Sequence, residues 1–479
     1  MTERDPRLEV FAAASESPRV AEVARRFDET AVVIKTDAAH AVLALSVANL
    51  AARLWPNTRL EGPPVAVSVA PFGDGVLRDV ARTLISKVRL SMARAPTQTI
   101  TVGLGLLSDE ADLFATSDAW SLRVSPEPIA SLAGGRGPAT TAAAALIAAE
   151  IFRRVLPEMA GLRLSQEFAW NLVNYRREVT ASPPFEAADA ACFGAGSVGS
   201  SLVLALLVAD ARGRLVMVDD DILQPRNRLR YPLWIAPARG RKVDWIAGVC
   251  HGQRLTITPR HELAQAYGSS LDHPPTLAVA AVDTVDGRAA VADILACETL
   301  NAGVNGLQLH VARHRFADGL ACVYCGYVDA SPAASELETY VSLTGLPAER
   351  VEHLLRGERL SEADVEAMVV SRRLGEDALE LVGGRLMDVA RARLYAATAI
   401  PSMNRVGVAA PFVSAMAGAV LAAELLKSKD RVLDRRVDID LSGWPTGFVS
   451  RPRQDPTHRC LCWSGLRQRA YDAAWSKRD

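Results

Sequence analysis

Apolar runs of strand length and apolar stripes of helix length alternate along much of this chain. Thr30 to Ile34 reads as a strand, Ala39 to Leu54 as a helix, Val65 to Val69 as a strand, Gly75 to Ser91 as a helix and Gln98 to Gly103 as a strand. A further helix is predicted near Thr140 to Val155. The alternation resumes with a short apolar strand, Ala190 to Phe193. Next come Gly194, Gly196 and Gly199 in a GxGxxG turn, an apolar helix from Leu202 to Ala209, and a second strand, Leu215 to Val218. Another strand, Thr276 to Val282, is closed by Asp283-Thr-Val-Asp286. Between Asp329 and Ile400 the pattern is helical, with Ser335–Leu343, Ala348–Leu355, Ser361–Arg372 and Leu386–Ala397 as candidates and Ser361-Glu-Ala-Asp364 as an N-cap. The longest apolar helix, Pro411 to Leu426, is too short to span a bilayer comfortably. Strands alternating with helices predict an α/β fold with a Rossmann-like sheet.

The order strand, glycine turn, helix, strand, acid is that of a nucleotide-binding βαβ unit. Glycines let backbone approach phosphate, the helix N-terminus faces the anion, and Asp219 at the second strand's end meets a ribose hydroxyl, with Asp221 a second candidate for that role. A dinucleotide-dependent oxidoreductase would use these features, but it has no need of the polar residues that follow. Asn227, Arg230 and Lys242 come next in order. They suit an enzyme that adenylates a carboxylate, which must offset charge on the α-phosphate and stabilise departing pyrophosphate. Asp286, just past the end of a parallel strand, points to the ligand crevice and is placed to hold Mg²⁺ on the phosphates.

With these residues in view, the chain resembles the adenylyltransferases that include ThiF- and MoeB-type enzymes and ubiquitin-activating enzymes. Gly194, Gly196, Gly199, Asp219, Asn227, Arg230 and Asp286 fall on the family's pattern. Lys242 sits about one position early, and Tyr231 stands where the family has Gln. The resemblance covers roughly residues 185–330 and 405–465. It implies ATP and Mg²⁺ as requirements, Arg230, Lys242 and Asp286 as catalytic residues, and the glycines, Asp219, Asp221 and Asn227 as nucleotide contacts. The substrate it implies is a small ubiquitin-like protein ending in glycine, with a conjugating enzyme downstream. Similar bacterial enzymes serve conjugation operons, several of them in antiviral defence. Sulfur-carrier activation for thiamine or molybdopterin biosynthesis is the alternative within the same family.

Cys322-Val-Tyr-Cys325 and Cys460-Leu-Cys462 add a separate signal. Four thiolates can close a tetrahedral Zn²⁺ site joining two distant segments. The resembling family often carries structural zinc in these places, although its second pair is CxxC. Cys192 reads as core packing. Relatives that form a thioester carry a cysteine in the insertion, and residues 329–400 contain none. That leaves Cys250, Cys297, a hydroxyl such as Ser331, Ser335 or Ser342, or a thiol on a partner to accept the tail.

The helix ending Ala-Ala-Ala-Leu-Ile-Ala-Ala-Glu150 is echoed by Ala-Gly-Ala-Val-Leu-Ala-Ala-Glu424, which suggests an internal repeat. Where the second copy has its glycine turn, the first has Lys35-Thr-Asp-Ala-Ala-His40, without glycine. Residues 1–165 therefore read as an inactive copy and 166–479 as the active adenylation domain, a pseudo-dimer in one chain. In such an arrangement an arginine from the first copy is expected at the ATP site, with Arg19, Arg25 and Arg26 as candidates. Arg288 is placed to pair with Asp286 or face phosphate, and the glycines of Asn301 to Gly306 suggest a loop near the substrate tail. His310 or His314 is a remote candidate for the metal.

Composition narrows the partners. The 479 residues hold 54 Lys and Arg against 55 Asp and Glu, a net charge of −1. That offers no electrostatic case for nucleic acid. No leader is visible, and seven cysteines, four in metal-like spacing, suit a reducing cytoplasm.

Overall fold

The computed structural model describes residues 20–105, 111–176, 183–225, 227–316, 318–328, 409–427, 433, 436–442 and 448–475. Between them it describes residues 337, 340–341, 343–356, 358–371, 381–384, 386 and 389. Among these, no helix is long and apolar enough to cross a membrane.

Two sheets carry the molecule. The first runs β2 (Asn57–Glu61), β1 (Thr30–Thr36), β5 (Gln98–Leu104), β6 (Leu113–Ser117), β7 (Ser121–Ser125), β8 (Phe168–Asn171). The second runs β11 (Leu255–Arg260), β10 (Gly213–Val218), β9 (Ala190–Phe193), β12 (Leu277–Ala280), β13 (Glu298–Asn305), β14 (Gln308–His314), β15 (Arg436–Asp440), β16 (Phe448–Ser450). Strand directions repeat as well as order. β1 is parallel to β2 and β5, β5 is parallel to β6, and β7 and β8 follow antiparallel. β9 is likewise parallel to β10 and β12, β12 is parallel to β13, and β14 and β15 follow antiparallel. The remaining pair, β3 (Ala66–Val69) and β4 (Gly73–Val76), is a separate antiparallel hairpin.

Four apolar helices lie in one continuous core with both sheets: α1 (Ala41–Leu54) after β1, α2 (Pro138–Val155) before β8, α3 (Ser197–Val208) after β9 and α6 (Pro411–Leu426) before β15. The other two helices that matter here are α4 (Lys242–Cys250) and α5 (Val285–Asp293). α1, α2, α3 and α6 are apolar nearly all round because they are covered nearly all round. α2 packs on α6, where Phe152 and Phe412 meet edge to face at 5.5 Å. α3 and α6 cross so closely that a Cβ on Gly418 would lie 2.3 Å from the Ser201 carbonyl carbon.

The repeated glutamates occupy matching places. Glu150 is buried and accepts from Arg153, Arg154 and the Leu164 amide. Glu424 is buried and accepts from Lys427, Arg313 and the Leu433 amide. Bonds also cross between the two parts. Arg153 donates to the Leu441 carbonyl at 2.6 Å, and the Tyr175 hydroxyl donates to Glu424.

Some sequence expectations shift. The Gly75–Ser91 helix runs only over Leu77–Val88, because Gly73–Val76 pairs as a strand. Asn301–Gly306, expected as a loop, is strand β13 up to Asn305, and its Gly303 leaves room for the His310 ring opposite. In the insertion, helices Ala348–Leu355 and Glu362–Val370 form around their own small core. Ser361 and Asp364 there make both arms of a capping box. Ser331, Ser335 and Ser342 lie outside the described residues, as does Arg19.

Candidate active site at the carboxyl end of the second sheet

The glycine turn joins β9 to α3 where backbone packing leaves no space for side chains. Gly194 has φ +100° and lies against the Ala281 carbonyl, which a Cβ would meet at 2.5 Å. A Cβ on Gly199 would sit 2.0 Å from the Gly194 carbonyl oxygen. The turn is therefore clamped between α3 and the strand end that leads to Asp286. Gly196 is the N-cap of α3 and makes no side-chain cap, so the first-turn amides of a 12-residue helix face the crevice.

Asp219 and Asp221 follow β10. Asp219 accepts from the Ala195 amide at 2.7 Å and from the Asp221 amide at 2.8 Å, tying the turn to the acidic corner. Burial raises the Asp219 pKa, with Lys242 and the two amides opposing. Lys242 opens α4, where its Nζ donates to Asp221 at 2.8 Å and lies 6.0 Å from the Tyr231 ring. Burial alone would lower the pKa of its ammonium. Tyr231, Asp219 and Asp221 outweigh burial and hold it above the ordinary lysine value. Lys242 is thus a cation at neutral pH. Tyr231 reaches the turn itself, its hydroxyl 3.8 Å from a Cβ built on Gly196.

Asn227 and Arg230 share one helical turn, Asn227–Arg230. Asn227 is buried and its Oδ1 accepts from the Gln224 amide at 2.9 Å, so that oxygen shapes the turn. Asp286 lies exposed in the first turn of α5, which Thr284 caps by accepting from the Gly287 amide at 3.0 Å. The structure thus gathers the glycine turn, Asp219, Asp221, Tyr231 and Lys242, with the Asp286 segment backed against Gly194.

Arg288 is turned elsewhere. It donates to Asn301 Oδ1 and to the Ala302 carbonyl, with Tyr327 stacked 4.8 Å away. Of the arginines expected from the first copy, Arg25 is exposed and Arg26 pairs with Glu22 on its own helix. Cys192 and Cys250 are buried thiols with pKa pushed up to about 12, by burial and Asp219 for the first and by burial for the second. Neither is a ready nucleophile at neutral pH.

The four cysteine sulfurs converge. Cys322, Cys325, Cys460 and Cys462 Sγ atoms all lie within 4.8 Å of one another, with close pairs at 3.4 to 3.8 Å. Zinc–thiolate bonds of roughly 2.3 Å at tetrahedral angles put sulfurs about 3.8 Å apart. The set fits a closed tetrahedral metal site and is far too wide for disulfides. His314 instead points a ring nitrogen to the Ala321 carbonyl at 2.7 Å. The cysteine node packs on α5 through Val323, Tyr324 and Leu461.

No protein-family model matches the chain. It is similar to the uncharacterized protein y4jF of Sinorhizobium fredii (strain NBRC 101917 / NGR234), 26% identical over 374 residues that cover 73% of this chain and 72% of that one. Among solved structures it is similar to E. coli MccB with AMPCPP and selenomethionine MccA, at 14% identity, 56% of this chain, 65% of that chain and TM-score 0.32. It is also similar to E. coli MccB with MccA-N7isoASN, at 15% identity, 58% of this chain, 67% of that chain and TM-score 0.34. The chain spans just under two thirds of the first MccB chain.

Tyr231 as a contact of the glycine turn is not legible in the sequence, nor are the bonds of the polar pair Asn49 and Arg53 on α1. An arginine inside an apolar helix stripe was the available signal for the latter.

Proposed function

We propose that this chain uses ATP to adenylate the C-terminal glycine carboxylate of a small ubiquitin-like protein. The observation that carries the reading is the convergence of the glycine turn, Asp219, Asp221 and Lys242 at the carboxyl ends of β9 and β10, with Asp286 at the end of β12. A tail oxygen attacks the α-phosphorus in line. One O–P bond forms, the bond to the bridging β-phosphate oxygen breaks, and pyrophosphate leaves. The α3 amides and glycine turn seat the phosphates, Asp219 holds the ribose side and Asn227 shapes the neighbouring turn. Lys242 and Arg230 offset charge developing on the α-phosphate and the leaving group. Asp286 offers the hard oxygen ligand that Mg²⁺ favours, and the ion when bound neutralises phosphate charge. Zn²⁺ on the four cysteines would be structural, holding the C-terminal arm to α5.

The fold further supports a pseudo-dimer of an inactive half, residues 1–165 with strand β8 completing its sheet, and an active half, residues 166–479. Equal strand order and direction support the duplication. At the place of the glycine turn, β1 is followed by Asp37 and His40. His40 bonds Asp37 at 2.8 Å and Thr116 at 2.8 Å. Side chains fill the point where phosphate would approach. The insertion lacks cysteine, so a conjugating partner's thiol takes the tail from the adenylate. The setting is a bacterial cytoplasmic conjugation operon of the kind used in antiviral defence.

The test is ATP–pyrophosphate exchange with candidate tail proteins. Exchange that needs a C-terminal glycine and falls by orders of magnitude in Asp286→Ala supports the reading. Tight NAD binding without exchange would replace it with an oxidoreductase. Exchange driven by a sulfur-carrier protein alone would move the pathway to cofactor synthesis.

A further inference from the structure

Helix α1 belongs to the first sheet, yet two of its polar side chains are spent on the second. Asn49 and Arg53 are each 1% exposed. Arg53 donates from Nη1 to the Arg228 carbonyl, and from Nη2 to the carbonyls of Pro232 at 3.0 Å and Trp234 at 2.9 Å. Asn49 Nδ2 donates to the same Pro232 carbonyl at 2.9 Å, and its Oδ1 accepts from Arg53 Nη2 at 3.1 Å. These partners are carbonyl and amide oxygens, not carboxylates. Burial first, and the Arg228 charge second, lower the Arg53 pKa to about 9, so it is a cation at neutral pH.

Burying a guanidinium is costly, and packing alone would be served by leucine. What the guanidinium does is hold the carbonyls of Arg228 and Trp234 and share that of Pro232 with Asn49, all on one short segment. Those carbonyls bracket Arg230 and Tyr231. Tyr231 in turn lies by Gly196 of the glycine turn and by Lys242. A line of contacts therefore runs from α1 through the backbone of residues 228–234 to the phosphate-facing turn.

We propose that Arg53, supported by Asn49, is a positioning residue for the nucleotide site across the interface between the two halves. The first half sets Arg230 and Tyr231 by holding their backbone. This role rests on the adenylation reading and adds to it a reason why the site needs the first half.

The full chain is compared with Arg53→Met, which keeps length and loses every donor, and Arg53→Lys, which keeps charge but cannot span three carbonyls. Two readouts are taken. Hydrogen exchange of amides 227–235 is measured against those of β1, and tail-dependent pyrophosphate exchange is resolved into kcat and KM. For Arg53→Met, residues 227–235 should exchange at least about tenfold faster while β1 is unchanged. Its kcat should fall roughly a hundredfold, with KM for ATP moving much less. Arg53→Lys should fall between the two, and it carries the test if the methionine variant does not fold. Wild-type protection of 227–235, or wild-type kcat, in a folded variant overturns the proposal. Absence of exchange in the wild-type chain would sink the adenylation reading instead, and the hydrogen-exchange arm would still decide the clamp.

Discussion

Glu424→Gln isolates what holds the two sheets' helices together. Glu424 and Lys427 side chains are both fully buried, and the carboxylate also takes Tyr175, Arg313 and the Leu433 amide. Glutamine keeps the volume and removes the charge. Arg313 retains Glu298 as a partner, so the cation left without a counter-charge is Lys427, over the Tyr175 ring at 4.0 Å. Breaking a buried pair from one side costs about 3–5 kcal/mol, because the surviving charge stays desolvated. The crossing bond from Tyr175 is weakened in the same step. Urea unfolding followed by tryptophan fluorescence should show that loss, and adding Lys427→Met should return at least about 1 kcal/mol of it. A Glu424→Gln chain within about 1 kcal/mol of wild type, or a double variant less stable than the single, would refute the orphan-charge reasoning. The pH sign follows from the same contacts. Burial raises the Glu424 pKa, but Lys427 and Arg313 outweigh it and hold it below the usual glutamate value. Its contribution is therefore complete above the unfolded value of about 4.3 and is lost as pH falls through the lower folded value.

Gly199→Ala places a Cβ 2.0 Å from backbone, so the turn must open; ATP affinity measured by calorimetry should fall at least about tenfold with only a modest loss of stability. Metal analysis of the purified chain should give about one zinc, and Cys325→Ser should lower that occupancy and expose the arm after residue 448 to protease; a folded, metal-free wild type would end the assignment. Asp364, held down to about 2 chiefly by Arg350, keeps the Glu362–Val370 helix capped. Protection there, the exchange rate taken relative to the unfolded chain at the same pH, should fall as pH drops from about 4 toward 2, and not between pH 8 and 5. An unchanged Arg350→Met variant would contradict this.

Local features were legible in the sequence. The strand, turn and helix at β9 are legible because the glycines, flanking apolar runs and aspartates lie within one short window. The helix after it starts at Ser197 instead of Leu202, since its first turn is small and polar to leave its amides open. Edge strand β2 is not legible because Asn57–Glu61 shows water one face and carries few apolar residues. β8 is not announced locally because it returns to the first sheet only after the 3₁₀ turn, Pro157–Leu162, that follows α2. The echo of Glu150 in Glu424 is visible in the sequence, but not the bonds that Arg153 and Tyr175, by the first sheet, send to the elements of the second. The carbonyls that Arg53 holds lie 175 to 181 positions away, and nothing local announces such a contact.

That separation bears on what the first sheet, whose β1 is followed by no glycine turn, does for the second. The interface helices are almost wholly apolar, and apolar packing specifies position only within the tolerance of side-chain rearrangement. Directional bonds set it more tightly. Among the described residues they include the buried glutamate clusters at the α2–α6 contact and the Arg53 clamp beside the candidate nucleotide site, where Arg228 also donates to the Lys87 carbonyl. The first fixes how the halves sit together, and the second transmits that placement to Arg230 and Tyr231. Disturbing Glu424 should therefore loosen residues 227–235 as well as the interface. Hydrogen exchange on Glu424→Gln can report both in one experiment. Loosening confined to α2 and α6 would mean that the clamp stands independently of the interface that carries it.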